Sequence, residues 1–275
     1  MASTASELNW PPIEGIISDL DGVVYRGNAA IVEAIQAFKS WQVARLPFCF
    51  VTNNSTHTPE EVARKLESFG LVIGSKDVVT SAVTAAELIR VKYPDLTRVF
   101  VIGAPSLVNA VAGVGLEVTD REPEAVVMGL DRQITHEKMR IAVDAILNGA
   151  VFIGTNPDLL LPTEDGFEPG AGATITAIAV ATQVKPLIVG KPEPYMIETA
   201  LSRLGTARGA TLMIGDQIPT DIQAGKRAGL PAVLVTTGVP PREDPSLASP
   251  DFIVSSLVEI EVPPALAESP PQRRA

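Results

Sequence analysis

Two aspartates stand two residues apart in Asp19-Leu20-Asp21-Gly22, just after a short apolar run that begins at Ile13. Three more polar clusters follow apolar runs: Thr52-Asn53-Asn54, Gly190-Lys191-Pro192, and Gly215-Asp216-Gln217 with Thr220-Asp221 beyond it. Together they offer four carboxylates, one ammonium and several small hydrogen-bond donors. This set suits phosphoryl transfer. A phosphate ester and an attacking carboxylate are both anions and repel. A Mg2+ ion between them removes the repulsion, and its preference for oxygen is met by Asp19 and Asp216. A lysine and N–H or O–H donors can hold the remaining phosphoryl oxygens as charge spreads in the transition state. One carboxylate can attack in line and form an aspartyl phosphate. A second, two residues on, can protonate the leaving oxygen and later activate water. Gly22 ends the strand, so the chain can turn and bring both acids to one substrate.

Such clusters act together only if secondary structure brings them to one edge. Ile13 to Ile17 and Leu46 to Val51 have the composition of short buried strands. The spacing of Ile31, Ala34, Ile35 and Phe38 predicts a helix over 31–41. Thr58-Pro59-Glu60-Glu61 has the form of a capping box, with proline at the first helical position and Gly70 as the stop. Downstream, strands are expected near 98–102, 125–128, 151–154, 187–189, 211–214, 232–235 and 252–254. Helices are expected near 105–112, 135–147, 173–182, 194–204 and 219–228. This alternation predicts an α/β fold with mostly parallel sheets. In such sheets ligands bind outside the carboxyl ends of the strands, where the four clusters fall. The strands outnumber what one open sheet of this length needs, so two sheets and two domains are expected.

Acidic residues outnumber basic ones 32 to 22, a net charge of −10, which excludes nucleic-acid binding by bulk electrostatics. The same balance argues against an anionic membrane surface. With Cys49 as the single cysteine, neither an intrachain disulfide nor a cysteine-based zinc site can form. No apolar run approaches the ~20 residues needed to span a bilayer, and no export signal is visible, so a cytoplasmic location is expected. The proline-rich stretch 263–275, ending in Arg273 and Arg274 before Ala275, is expected to lack fixed structure.

DLDGVVYRG, VTNN, GKPEP and GDQIPTDIQAGKRAG, in that order, resemble the four motifs of the haloacid dehalogenase-like hydrolase superfamily. The resemblance spans about residues 13–260 and is strongest to the subfamily with a larger α/β cap between the second and third motifs. That subfamily includes NagD-like nucleotide phosphatases, 4-nitrophenyl phosphatases and phosphoglycolate phosphatases. TNPD at 155–158 and PGAGA at 169–173 are similar to it as well. The resemblance implies a Rossmann-like core of residues 1–81 and 184–262 and a smaller α/β cap of residues 82–183. It implies a Mg2+-dependent phosphatase of small phosphorylated metabolites, with pairing of two copies through the cap as an expectation. By motif position, Asp19 matches the nucleophile and a metal ligand. Asp21 matches the general acid/base, its backbone carbonyl also meeting the metal. Thr52 and Asn53, with Asn54 beside them, match the phosphate-holding motif. Lys191 matches the motif lysine, Asp216 a metal ligand, and Asp221 the second acid of that motif. The loop Leu159-Leu160-Leu161-Pro162 corresponds to one that reaches over the site in relatives, so Leu161 is a candidate substrate contact. Pyridoxal phosphate phosphatases carry a histidine where Leu161 aligns, which counts against that substrate. Arg132 is a candidate for a second anionic group.

Each cluster also has an ordinary reading. Paired acids are common on surfaces, a lone lysine is usually solvated, and Asp221 could simply complement a helix dipole. Asn156 and Asp158 read as a strand-to-loop turn. Cys49 reads as a buried small hydrophobe, and His57 and His136 as surface residues. A phosphoacceptor signalling domain would use similar groups, but such domains are about half this length and carry the acceptor on a later strand. A non-catalytic phosphometabolite-binding relative would not need the full set Asp19, Asp21, Lys191 and Asp216. A phosphomutase would share all of them.

Overall fold

The computed structural model describes residues 10–163, 166–238 and 244–262. The stretch 263–275, expected to lack fixed structure, lies outside the described residues. Six parallel strands form the larger sheet, in the order Phe252–Val254, Ala232–Val235, Thr211–Gly215, Gly15–Ser18, Phe48–Thr52, Val78–Thr80. The chain starts at Gly15–Ser18, builds outward on one side, then returns to build on the other. The strand order therefore reverses beside Gly15–Ser18, and a parallel sheet opens a crevice at such a point.

The strands are short apolar runs buried on both faces, as parallel sheets require. Alternate side chains feed two cores. Ile16, Phe48, Phe50, Val78, Leu212 and Ile214 pack with Ala34, Phe38 and Trp41 of helix Val32–Val43 and with Val62 and Leu66 of helix Pro59–Ser68. Ile17, Cys49, Val51, Val79 and Met213 face the other way, onto Met196, Ile197 and Ala200 of helix Tyr195–Leu204. Cys49 is fully buried there, and burial pushes its thiol up to about 12, so it behaves as a small hydrophobe. The capping box at Thr58 forms: its hydroxyl accepts from the Glu61 N–H and Glu61 accepts from the Thr58 N–H.

A second, five-stranded parallel sheet runs Leu187–Ile188, Val151–Gly154, Ala125–Met128, Arg98–Ile102, Glu117–Val118. Helices Ser81–Lys92 and Pro105–Gly113 cover one face, and His136–Leu147 and Ala171–Thr182 the other. Leu187–Ile188, expected in the larger unit, instead hydrogen-bonds to Ile153 and Gly154 in this smaller sheet.

Further features depart from the sequence reading. Val78–Thr80 and Ser81–Lys92 were not foreseen, although Ala82, Ala85, Ala86 and Ile89 carry helical spacing and are all buried. The loop expected at 159–162 is part of an antiparallel hairpin, Leu160–Thr163 with Gly166–Pro169. The single helix expected at 219–228 begins as a π turn, Ile218–Ile222, before the short helix Gln223–Arg227. Among the described residues, no helix is long and apolar enough to cross a membrane.

Phe38 is fully buried, with ring centroids 4.8, 5.0 and 4.9 Å from Trp41, Phe48 and Phe50. Phe38→Ala should cost about 3–5 kcal/mol by removing that ring from a packed core. Urea unfolding measures it, and a loss below about 1 kcal/mol would mean the cluster collapses to fill the gap.

Candidate active site

The reversal in strand order sets the site. Asp19 directly follows Gly15–Ser18, and its N–H donates to the Ile214 carbonyl of the adjacent strand at 2.9 Å. Asp216 directly follows that adjacent strand, Thr211–Gly215. The π turn then brings Asp221 back, and its carboxylate accepts from the Gln217 N–H at 3.0 Å. π turns recur at functional sites because the extra residue re-aims a side chain. All three aspartates are buried, and one carboxylate oxygen from each lies within 4.8 Å of the others. Glycines make room for this convergence. A side chain at Gly215 would collide with Asp221, and one at Gly22, where φ is +84°, would collide with Asp216.

Lys191 supplies the counter-charge. It is 3% exposed, and its ammonium lies 2.5 Å from an Asp19 oxygen and 2.7 Å from an Asp221 oxygen. Asn53 straddles the Lys191 main chain. Its Oδ1 accepts from the Lys191 N–H at 2.8 Å, and its Nδ2 donates to the Lys191 carbonyl at 3.0 Å. The same Nδ2 donates to Asp158 at 3.1 Å. The Asn53 amide is thus taken up, and any phosphoryl contact from this residue falls to its main chain. Gly190 packs against the Thr155 carbonyl and the Asn53 side chain, where a Cβ would not fit.

The other foreseen residues are arranged differently. Asp21 reaches solvent and its carboxyl is outside the three-acid cluster. Desolvation still pushes that carboxyl above its ordinary value, against the pull of Lys65. The Thr52 hydroxyl accepts from the Asn54 N–H at 3.2 Å. The Asn54 side chain is turned into its own loop, accepting from the Thr56 N–H and hydroxyl at 2.8 and 2.7 Å. Leu161 is half-buried in the hairpin, opposite Glu168. Arg132 is tied to that hairpin, donating to Glu168 at 3.0 Å. Sequence reasoning missed Tyr25 and Lys65. The Lys65 ammonium sits 3.6 Å from the Tyr25 ring centroid and donates to the Gly27 carbonyl at 2.7 Å. Burial, and then the charges of Asp19 and Asp21, raise the Tyr25 phenol, which stays neutral. His57 is exposed beside Glu61.

Two family models match the chain. One, described as haloacid dehalogenase-like hydrolase, covers residues 16–117. The other, HAD-hydrolase-like, covers residues 188–260. The chain is 40% identical to the 5'-nucleotidase YutF of Bacillus subtilis strain 168, over 90% of this chain and 96% of that protein. The chain belongs to the haloacid dehalogenase-like hydrolases. It is also 42% identical to an acid sugar phosphatase of Staphylococcus saprophyticus, over 82% of this chain and 87% of that one. A glycerol phosphate phosphatase from Mycobacterium tuberculosis, solved in complex with magnesium, superposes with a TM-score of 0.82 at 36% identity, covering 90% of this chain and 76% of that one.

The electrostatics of this hydrolase follow from the buried charges. Burial, aided by Asp221 and Asp216, lifts the Asp19 carboxyl from 3.8 to about 8, against the pull of Lys191. Burial also draws the Lys191 ammonium down, but Asp19 and Asp221 outweigh it and hold it above its ordinary range. Three buried carboxyl groups face one ammonium, and once Asp19 gives up its proton the excess of negative charge is one that a hard cation with oxygen ligands fits.

A carboxyl with a raised folded-state pKa stabilises the folded chain below its ordinary pKa, and that contribution is lost as pH rises through the folded value. For Asp19 the window runs from 3.8 to about 8. A divalent cation that takes Asp19 as a ligand must displace its proton, so its affinity should rise with pH across the same window. Titration calorimetry at pH 7 in buffers of different ionisation enthalpy should register proton release. Heats independent of the buffer would contradict a protonated Asp19.

Proposed function

We propose that this chain is a Mg2+-dependent phosphatase that hydrolyses a small organic phosphate monoester through an aspartyl phosphate on Asp19. The observation that supports it most is the buried trio Asp19, Asp216 and Asp221 beside Lys191, at the carboxyl ends of adjacent strands. The donor set fits Mg2+, a hard ion that takes oxygen ligands. Asp19, Asp216 and Asp221 would hold it, with the Asp21 carbonyl as a further oxygen. Mg2+ would neutralise charge between the ester and the attacking carboxylate.

The remaining steps belong to the protein. Asp19 attacks phosphorus in line, and the ester oxygen leaves. Lys191 is buried and fixed at both its main chain and its ammonium, so it meets developing phosphoryl charge without reorganising. Thr52 and the Asn53 main chain supply donors from the next strand end. Asp21, in contact with solvent, gives a proton to the leaving oxygen and then takes one from the attacking water. Its raised pKa suits a group that must carry a proton part of the time. Water restores Asp19 and releases inorganic phosphate.

The relatives named above are, by their names, a 5'-nucleotidase, an acid sugar phosphatase and a glycerol phosphate phosphatase, which supports a small phosphorylated metabolite as the substrate. Phosphate release should be measured from nucleoside monophosphates, sugar phosphates, glycerol phosphate, phosphoglycolate and 4-nitrophenyl phosphate, with Mg2+ or with chelator. Turnover should require Mg2+ and vanish in Asp19→Asn. Asp21→Asn should lower kcat by about 10²- to 10⁴-fold, the usual contribution of a general acid/base. Turnover that survives both chelation and Asp19→Asn would sink the proposal.

A further inference from the structure

The turn Thr155-Asn156-Pro157-Asp158 looks like a simple exit from a strand of the smaller sheet. Its contacts give it another task. Asp158 Oδ2 accepts from Asn156 Nδ2 at 2.7 Å and from Asn53 Nδ2 at 3.1 Å. Asn156 is 8% exposed, and its Oδ1 accepts from the Thr155 hydroxyl at 2.9 Å. The Asp158 carboxylate therefore joins the smaller sheet to the second strand-end loop of the larger one.

The Asn53 amide can adopt only one orientation. The Lys191 N–H donates to it, so an oxygen must face that N–H, and the NH2 must face the Lys191 carbonyl and Asp158. Both partners of that amide follow strands of the smaller sheet, Lys191 after Leu187–Ile188 and Asp158 after Val151–Gly154, and of the two Asp158 is the one that leads into the hairpin. A hydrogen bond to a carboxylate is stronger than one between neutral groups, so Asp158 biases the Asn53 rotamer more than an ordinary amide contact would.

Asp158 is itself held firmly. Its carbonyl accepts from the Gly172 N–H at 2.9 Å, in the first turn of helix Ala171–Thr182. The Gly170 N–H donates to the Leu159 carbonyl at 2.9 Å. Side chains at Gly170 or Gly172 would strike the carbonyls of Asp158 and Pro157. The hairpin Leu160–Thr163 with Gly166–Pro169 begins two residues after Asp158. The hairpin, the helix start and Asp158 thus form one unit.

We infer that Asp158 is a positioning residue for the phosphotransfer site, acting through Asn53 to fix the Lys191 main chain. Seating of the hairpin is thereby linked to the Lys191–Asp19–Asp221 cluster. When the hairpin unit shifts, Asn53 loses the partner that aims its NH2, and its hold on Lys191 loosens. The kinetic part of this inference rests on the phosphatase proposal; the structural part does not.

The test uses Asp158→Ala, Asn53→Ala, the double variant and Asp158→Asn in the full chain. The first readout is hydrogen exchange at the Lys191 amide, which Asn53 protects. Asp158→Ala should speed it on the order of tenfold, a local opening, with the rest of the larger sheet unchanged. The second is turnover of 4-nitrophenyl phosphate or the best ester found. Asp158→Ala should lower kcat about 10- to 100-fold, as misplacement of a catalytic group does, with KM within about twofold. The double variant should be no worse than Asn53→Ala. Asp158→Asn, which keeps an acceptor oxygen, should recover most of both losses. Unchanged exchange at Lys191 in Asp158→Ala, or losses that multiply in the double variant, would overturn the inference. If the chain turns over no ester, the phosphatase proposal fails, and the exchange experiment alone still decides this one.

Discussion

Everything near the site answers to one constraint: three carboxylates are buried together with a single ammonium. Taking ions out of water costs several kcal/mol each, and paired charges recover that only with good geometry and further hydrogen bonds. The structure meets this in layers. Lys191 bridges Asp19 and Asp221, the Gln217 N–H caps Asp221, and Asn53 holds Lys191 by both its N–H and its carbonyl. The surplus of negative charge is left for a cation. A site that must neutralise a phosphate ester gains from this, because its dipoles are fixed before substrate arrives.

The fold makes such crowding feasible. Adjacent parallel strands end within one residue of each other, Ser18 pairing with Ile214, so Asp19 and Asp216 leave the sheet close together. The reversal of strand order at that point opens space that a continuous sheet would fill with a crossover helix. Gly22 and Gly215 matter here as missing side chains, since each borders an acid of the cluster. The two faces of the sheet are closed by separate apolar layers, so the polar cluster sits at the rim rather than within the core.

Much of this was legible in the sequence, for definable reasons. Buried parallel strands are short, β-branched and apolar, so Arg98–Ile102, Ala125–Met128, Val151–Gly154, Ala232–Val235 and Phe252–Val254 match their expected spans. The capping box at Thr58 is a local signal that needs no tertiary context. The catalytic-type residues stood out because acids at strand ends are unusual against apolar runs. What escaped notice depended on tertiary partners. Val78–Thr80 is a strand only because Phe48–Thr52 lies beside it. The hairpin at 160–169 hides behind Leu159-Leu160-Leu161-Pro162, whose composition has no clean alternation. Leu187–Ile188 joins the smaller sheet by pairing with Val151–Gly154, and sequence cannot tell which sheet a two-residue strand will choose. The engagement of the Asn53 amide by Lys191 and Asp158 is pure geometry across 138 and 105 residues.

The strand pairing also sets an order of events during synthesis. Gly15–Ser18 can pair with Phe48–Thr52 as soon as both have left the ribosome. Its other neighbour, Thr211–Gly215, is made only after the whole of the smaller sheet. Until then the central strand of the larger sheet has an open edge, and Asp19 lacks Asp216 beside it. Contacts of such long sequence separation form slowly, and unpaired strand edges invite association with other chains. A nascent chain of this protein therefore carries an open strand edge next to its future reaction centre. The smaller sheet is built from contiguous sequence lying between the two halves of the larger one, so its formation brings those halves closer together.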